Sequence, residues 1–208
     1  MTATLREVAG PDLRNALRAL KLGQMLDTLP DRLTLARQQN MAHAHFLELI
    51  LADEVTRREA KSASLRARAA GLDPGMRLDT WDPTAAVRYD HQLWNELTSL
   101  RFLDGPHGAM LLGPVGVGKT HLACALGHIA IRRRRTVHMA RAGKLFKRLK
   151  AARLDNTLDY EMRRLAGVEL LIIDLCRRRD YADAGGTRVG AGLIRAGSLA
   201  PGRCRRSA

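Results

Sequence analysis

The 208-residue chain predicts an α/β fold with a parallel sheet, preceded by an N-terminal α-helical domain, and three observations carry that prediction. The hydrophobic pattern is helical up to about residue 70 and changes near Gly108 to short, continuous apolar runs of the kind that make buried parallel strands. A glycine-rich run, Gly113-Pro114-Val115-Gly116-Val117-Gly118-Lys119-Thr120, joins one such apolar run to a helical stretch. A later apolar run, Leu170-Leu171-Ile172-Ile173, ends in Asp174.

Taken in order, Leu13, Leu17 and Leu20 fall on one stripe of a short helix, with Asp12 as its expected cap and Gly23 as its expected stop. Leu26, Leu29, Leu33 and Ala36 continue the pattern in a second helix, in which Pro30 limits how far upstream regular hydrogen bonding extends. A longer helix is expected from about His43 to Ala70, with Phe46, Leu47, Ile50, Leu51 and Val55 on a wide apolar face and Gly71 as its stop. Its later half carries Arg57, Arg58, Lys61, Arg66 and Arg68 against Glu59. Two readings stay open there: a solvated face with cations near the negative end of the helix dipole, or a surface that meets DNA phosphates or an acidic partner.

Asp73, Pro74 and Gly75 are turn formers, so the stretch from Gly71 to Asp82 reads as a linker between domains. A short lead-in helix holding Trp94 and Leu97 is expected between Trp81 and Leu103. Ala109 to Leu112 then reads as a strand, and Leu122, Ala123, Leu126, Ala130 and Ile131 mark the helix after the glycine-rich run. Thr136 to Ala140 reads as a second strand, Gly143 to Leu154 as a basic helix, and Leu170 to Ile173 as a third strand. The resulting organisation is a helical domain over residues 1–80, a nucleotide-type α/β domain over 81–174 and a basic tail over 175–208.

Composition narrows the function class. Lysine and arginine number 35 against 21 acidic residues, a net charge of +14 that makes nucleic acid the first partner to consider. The alternative is a chain that is basic only because its codons favour arginine, and charge alone does not separate the two. Cys124, Cys176 and Cys204 have no metal-type spacing, which argues against a zinc site or a disulfide framework. With no apolar run of membrane-spanning length and no leader-like N-terminus, the expected place is the cytoplasm, away from the membrane.

The glycine-rich run has the chemistry of a phosphate loop. Gly113, Gly116 and Gly118 let the chain turn sharply and aim its N–H groups inward, and a helix starting near Lys119 adds the positive end of its dipole. In this pattern Lys119 reaches the β- and γ-phosphates of a nucleotide and the Thr120 hydroxyl ligates Mg2+. Asp174, at the carboxyl end of its strand, supplies the acidic element that holds the same metal. A glycine-rich turn that binds nothing, and an aspartate that caps the next turn, are the structural alternatives.

The run Leu111-Leu112-Gly113, then Gly118-Lys119-Thr120-His121-Leu122-Ala123, Leu126-Gly127 and Leu170-Leu171-Ile172-Ile173-Asp174, resembles the IstB-type ATP-binding proteins, helpers of bacterial insertion sequences related to DnaC-type helicase loaders within the AAA+ class. Phe46-Leu47-Glu48-Leu49, Asp53-Glu54, Arg57-Arg58-Glu59 and Leu100-Arg101-Phe102-Leu103 are similar to the same family. The resemblance spans about Leu13 to Asp174 and implies a P-loop NTPase sheet of AAA+ type. It also implies ATP and Mg2+ at residues 113–121, His121 included, with Lys119 and Asp174 as the catalytic pair. The partners it implies are DNA, a transposase and further copies of the chain. A helicase loader of the replication machinery is the alternative within the same fold.

Two departures bear on activity. The family carries a second acidic residue after the strand aspartate, to position the attacking water, and here that position is Leu175. The tail from Leu175 onward holds eight arginines and two aspartates with no sustained periodicity, so the sheet is expected to stop at three strands and remain incomplete, with unpaired edges. The tail reads as a truncated or frameshifted continuation, or as a disordered basic segment that grips nucleic acid. ATP hydrolysis is therefore left open, and a non-hydrolysing nucleotide- or DNA-binding remnant stands beside the ATPase reading.

Overall fold

Helix α1 (Pro11–Ala19) opens the described part of the chain in the computed structural model, which describes residues 9–82, 90–105 and 107–175 and the backbone of 189–196. Pro11 occupies the first helical position, where its missing N–H costs nothing, so Gly10 is the N-cap and Asp12 lies inside the first turn, making no side-chain cap. The helix ends at Ala19 and the chain turns at Lys21, which takes φ of 57°, two residues before the expected stop at Gly23. Helix α2 (Met25–Gln38) accommodates Pro30, and the Thr34 hydroxyl donates to the Pro30 carbonyl at 2.9 Å. Helix α3 (His43–Ala69) is 27 residues long.

The chain divides into two compact units, Met1–Ser62 and Ala63–Ala208. The first has a small core of Ala9, Leu26 and Leu29, with Leu17, Leu33 and Phe46 packed against it. Polar clamps supplement that core. Arg32 grips Asp53 through two hydrogen bonds of 2.6 and 3.1 Å. Glu54, buried to 4% exposure, accepts from both Arg57 and Arg58, while Arg57 also donates to Gln24 and Arg58 to the Lys21 carbonyl. These two arginines, read from sequence as part of a cationic face, are thus occupied in holding the turn between α1 and α2 onto α3. The expected wide apolar face of α3 is narrower: Leu47, Leu51 and Val55 are exposed, and Phe46 carries the contact with the core.

In the second unit, the predicted linker is part of the packed structure. Leu72 is buried in the core, Met76 and Trp81 pack against it, and the Ala70 carbonyl accepts the Met139 N–H at 2.7 Å along the edge of a strand. Asp90 caps helix α4 (His91–Ser99) by accepting from the N–H groups of Gln92 and Leu93. Leu100 ends it in the left-handed conformation, and a 3-10 turn (Arg101–Asp104) leads toward strand β1 (Gly108–Pro114). Helix α5 (Lys119–Arg132), strand β2 (Val137–Arg141), helices α6 (Ala142–Leu154) and α7 (Leu158–Ala166), and strand β3 (Leu170–Asp174) follow. The five residues whose spacing predicted α5, from Leu122 to Ile131, are all buried, against Leu170 and Ile172 of β3.

The sheet differs from the three-stranded parallel expectation. It has four strands in the order β1-β4-β3-β2, because Val189–Ala196 forms β4. Strands β2 and β3 are parallel, while β4 is antiparallel to both β1 and β3 and fills the slot between them. A strand there satisfies the backbone groups that β1 and β3 would otherwise leave unpaired, which outweighs the weak local pattern of the tail. The rest of the tail, including Cys176-Arg177-Arg178-Arg179 and Cys204, lies outside the described residues. Strand β1 is half-buried on one face, through Ala109 and Leu111, and exposed on the other. Met110 and Leu112 are 56% and 62% exposed because no described helix covers the face opposite α5. No helix among the described residues is long and apolar enough to cross a membrane.

Candidate nucleotide site

The loop from Gly113 to Thr120 links the carboxyl end of β1 to the N-terminus of α5. Gly116 and Gly118 take φ of 88° and 84°, a region costly for any other residue, and this turns the chain so that α5 can start at Lys119. A Cβ at Gly118 would also stand 2.5 Å from the ring of Trp81, so both backbone conformation and close approach call for glycine. The Lys119 ammonium bends back over the loop, donating to the Gly113 carbonyl at 2.9 Å and to the Pro114 carbonyl. Its charge therefore sits inside the cradle. Pro114, Val115 and Val117 complete the loop, with Val117 packed near Gly113.

Thr120 and Asp174 meet at the far side of the loop, where the threonine hydroxyl donates to Asp174 Oδ2 at 3.4 Å. Two hard oxygen donors from α5 and β3 thus converge at the carboxyl ends of the strands, the position at which open α/β sheets place ligands. His121 faces elsewhere. Its Nε2–H donates to the Arg77 carbonyl at 2.7 Å, and its ring meets Trp81 edge-on at 5.2 Å. Two turns along α5, buried His128 donates to the Asp73 carbonyl at 2.9 Å. Both histidines pin the 73–77 segment to α5, a role that sequence spacing did not reveal because their partners are backbone carbonyls.

A cavity of about 620 Å3 adjoins the Thr120–Asp174 pair. Leu72, Met76, Cys124 and Met139 give it an apolar side, and Arg141, Lys144, Arg148 and Arg164 give it a basic one. Arg148 and Arg164 share Glu161, at 2.7 and 3.4 Å. His138, also in the wall, is held below the ordinary histidine pKa by burial, with Arg164 and Arg148 adding to the shift. Burial likewise pushes the Cys124 thiol up, making it a packing group rather than a nucleophile.

Residues 15–189 match the family model described as IstB-like ATP binding protein. The chain belongs to the IstB-like ATP-binding family. A similar protein from Mycobacterium tuberculosis, named as an ATP-binding protein in an insertion sequence, is 36% identical over 174 residues, 84% of this chain and 69% of the relative. Insertion-sequence ATP-binding proteins of Geobacillus stearothermophilus and Sinorhizobium fredii are each 32% identical, over 67% and 77% of this chain and over 55% and 64% of their own lengths. This IstB-like chain therefore spans between about half and two thirds of the length of these relatives, and the match takes in both the helical region from residue 15 and the loop with its facing aspartate.

Proposed function

We propose that this IstB-like protein binds ATP with Mg2+ in the loop from Gly113 to Thr120 and serves as an ATP-dependent helper of an insertion sequence that assembles on DNA, with further copies of itself, and partners a transposase. The approach of Thr120 to Asp174 beside the glycine loop carries the nucleotide part of this reading. A hydroxyl and a carboxylate suit Mg2+, which accepts few protein oxygens and completes its shell with water and phosphate. When bound, Mg2+ supplies charge neutralisation across the β- and γ-phosphates. Lys119 binds the phosphates from within the cradle, and His121 acts by fixing the Arg77–Trp81 segment against the loop.

Helix α6 supports the DNA part. Besides the cavity-lining Lys144 and Arg148 it carries Lys147, Lys150 and Arg153 and no acidic residue, and exposed rings stand at Phe146 of α6 and Tyr160 of α7. Cations interleaved with accessible aromatics are the composition of a surface that tracks a nucleic-acid backbone and stacks on bases.

A second reading, nucleotide binding without turnover, is favoured by Leu175, which follows Asp174 where a water-positioning acid would stand. ATP binding measured beside steady-state hydrolysis, with and without DNA and transposase, decides between them. Turnover abolished by Lys119→Ala supports the ATPase; tight binding without turnover supports the second reading; no binding at all overturns both.

A further inference from the structure

Arg141 and Lys144 are the cations of this cavity that nothing in the fold accounts for. Arg148 and Arg164 have Glu161 between them, whereas Arg141 and Lys144 make no hydrogen bond or ion pair among the described residues. Their placement is specific. Arg141 ends β2 and stands in register with Asp174 on the neighbouring β3, so the two residues occupy the same level at the carboxyl edge of the sheet. Lys144 lies in the first turn of α6, whose N-terminus adds its dipole and unpaired N–H groups to the same positive region. Both residues line the same cavity as Thr120 and Asp174.

We propose that Arg141 and Lys144 read the terminal phosphate of the nucleotide held by the loop, from within the same chain, and so set the preference for a triphosphate over a diphosphate. The inference rests on the nucleotide reading above. Thr120 and Asp174, which would hold the metal and neutralise phosphate charge, line the same cavity as Arg141 and Lys144, so the terminal phosphate of a triphosphate in the loop would face these cations. A diphosphate stops short of them. Arg141 gives the planar, forked recognition suited to phosphate oxygens, and Lys144 a point charge behind it.

The test is titration of the full chain, in Mg2+, with ADP and with the non-hydrolysable β,γ-imido analogue of ATP. For Arg141→Ala the preference for the analogue over ADP is expected to fall roughly tenfold, the scale of one charge-assisted hydrogen bond, while ADP affinity stays at the wild-type value. Lys144→Ala is expected to show a smaller loss of the same kind, and Arg141→Lys to keep part of the preference. Unchanged ADP binding doubles as the check that the variants fold. A preference that survives in Arg141→Ala, or ADP and analogue weakening together, overturns the proposal while leaving the loop reading intact. A wild-type chain that binds neither nucleotide, or a Lys119→Ala variant that binds both normally, overturns the loop reading and this one with it.

Discussion

Thr120 and Asp174, 54 residues apart in the chain, are brought within 3.4 Å by the crossing of α5 over the carboxyl end of β3. That contact is long for a hydroxyl–carboxylate hydrogen bond, and both oxygens can turn toward a cation between them. Asp174→Asn keeps the shape and removes the charge, so the Mg2+-dependent part of ATP affinity is expected to fall roughly tenfold or more. Titrations with Mg2+ and with a chelator check it: the wild type should weaken on chelation, whereas the variant should respond little. A variant with full Mg2+ dependence would remove Asp174 from the site.

Gly118 is the loop position least able to change. Alanine there must adopt φ near 84° and place a Cβ 2.5 Å from Trp81. Gly118→Ala is expected to destabilise the second unit by about 1–3 kcal/mol and to weaken nucleotide binding as the start of α5 shifts. Thermal unfolding and nucleotide titration report the two effects. Gly118→Ala combined with Trp81→Ala relieves the clash but not the strained φ, so partial recovery of stability is the expected outcome.

What could be read from the sequence follows from which interactions are local. The buried face of α5 was legible because helical spacing alone puts Leu122, Ala123, Leu126, Ala130 and Ile131 on one side. The loop and Asp174 were legible because glycine, lysine, threonine and strand-end aspartate each have a chemical reason for their place. Strand β4 was hidden, since its stability comes from β1 and β3 on either side and from little in its own composition. The exposure of Met110 and Leu112 was hidden too, because an apolar run does not say whether one or both faces of a strand will be covered. The relation of Arg141 to Asp174 depends on the β2–β3 register, which only strand pairing establishes.

Acid should act on the first unit through Glu54. Hydrogen bonds from Arg57, with Arg58 adding to them, hold its carboxyl down to about 2 against an ordinary value of 4.5, despite the opposing effect of burial. A depressed folded pKa means that the unfolded state takes up the proton first. The contribution of Glu54 is therefore complete above the unfolded value of 4.5 and is lost as pH falls through about 2. Glu54→Gln should be less stable than wild type at neutral pH and should lose the difference across that window. Unfolding midpoints measured from pH 6 to pH 2 check this, and parallel curves for the two proteins would contradict it.

Mild acid should act on the second unit through His138. Burial first, and Arg164 and Arg148 after it, depress its pKa below 6.5, with Glu161 opposing. The unfolded chain thus binds this proton more readily, so stability is fully present above 6.5 and declines as pH falls through the lower folded value. His138→Gln removes the titration while keeping a polar side chain in the cavity wall, and its stability should fall less than that of wild type between pH 7 and pH 5. Subtracting the two curves isolates His138 from the other histidines. Adding inorganic phosphate offers a further check, because an anion bound near Arg148 and Arg164 offsets the charges that disfavour imidazolium. Phosphate should therefore shrink the difference between wild type and His138→Gln, and an unchanged difference would place the bound anion away from His138.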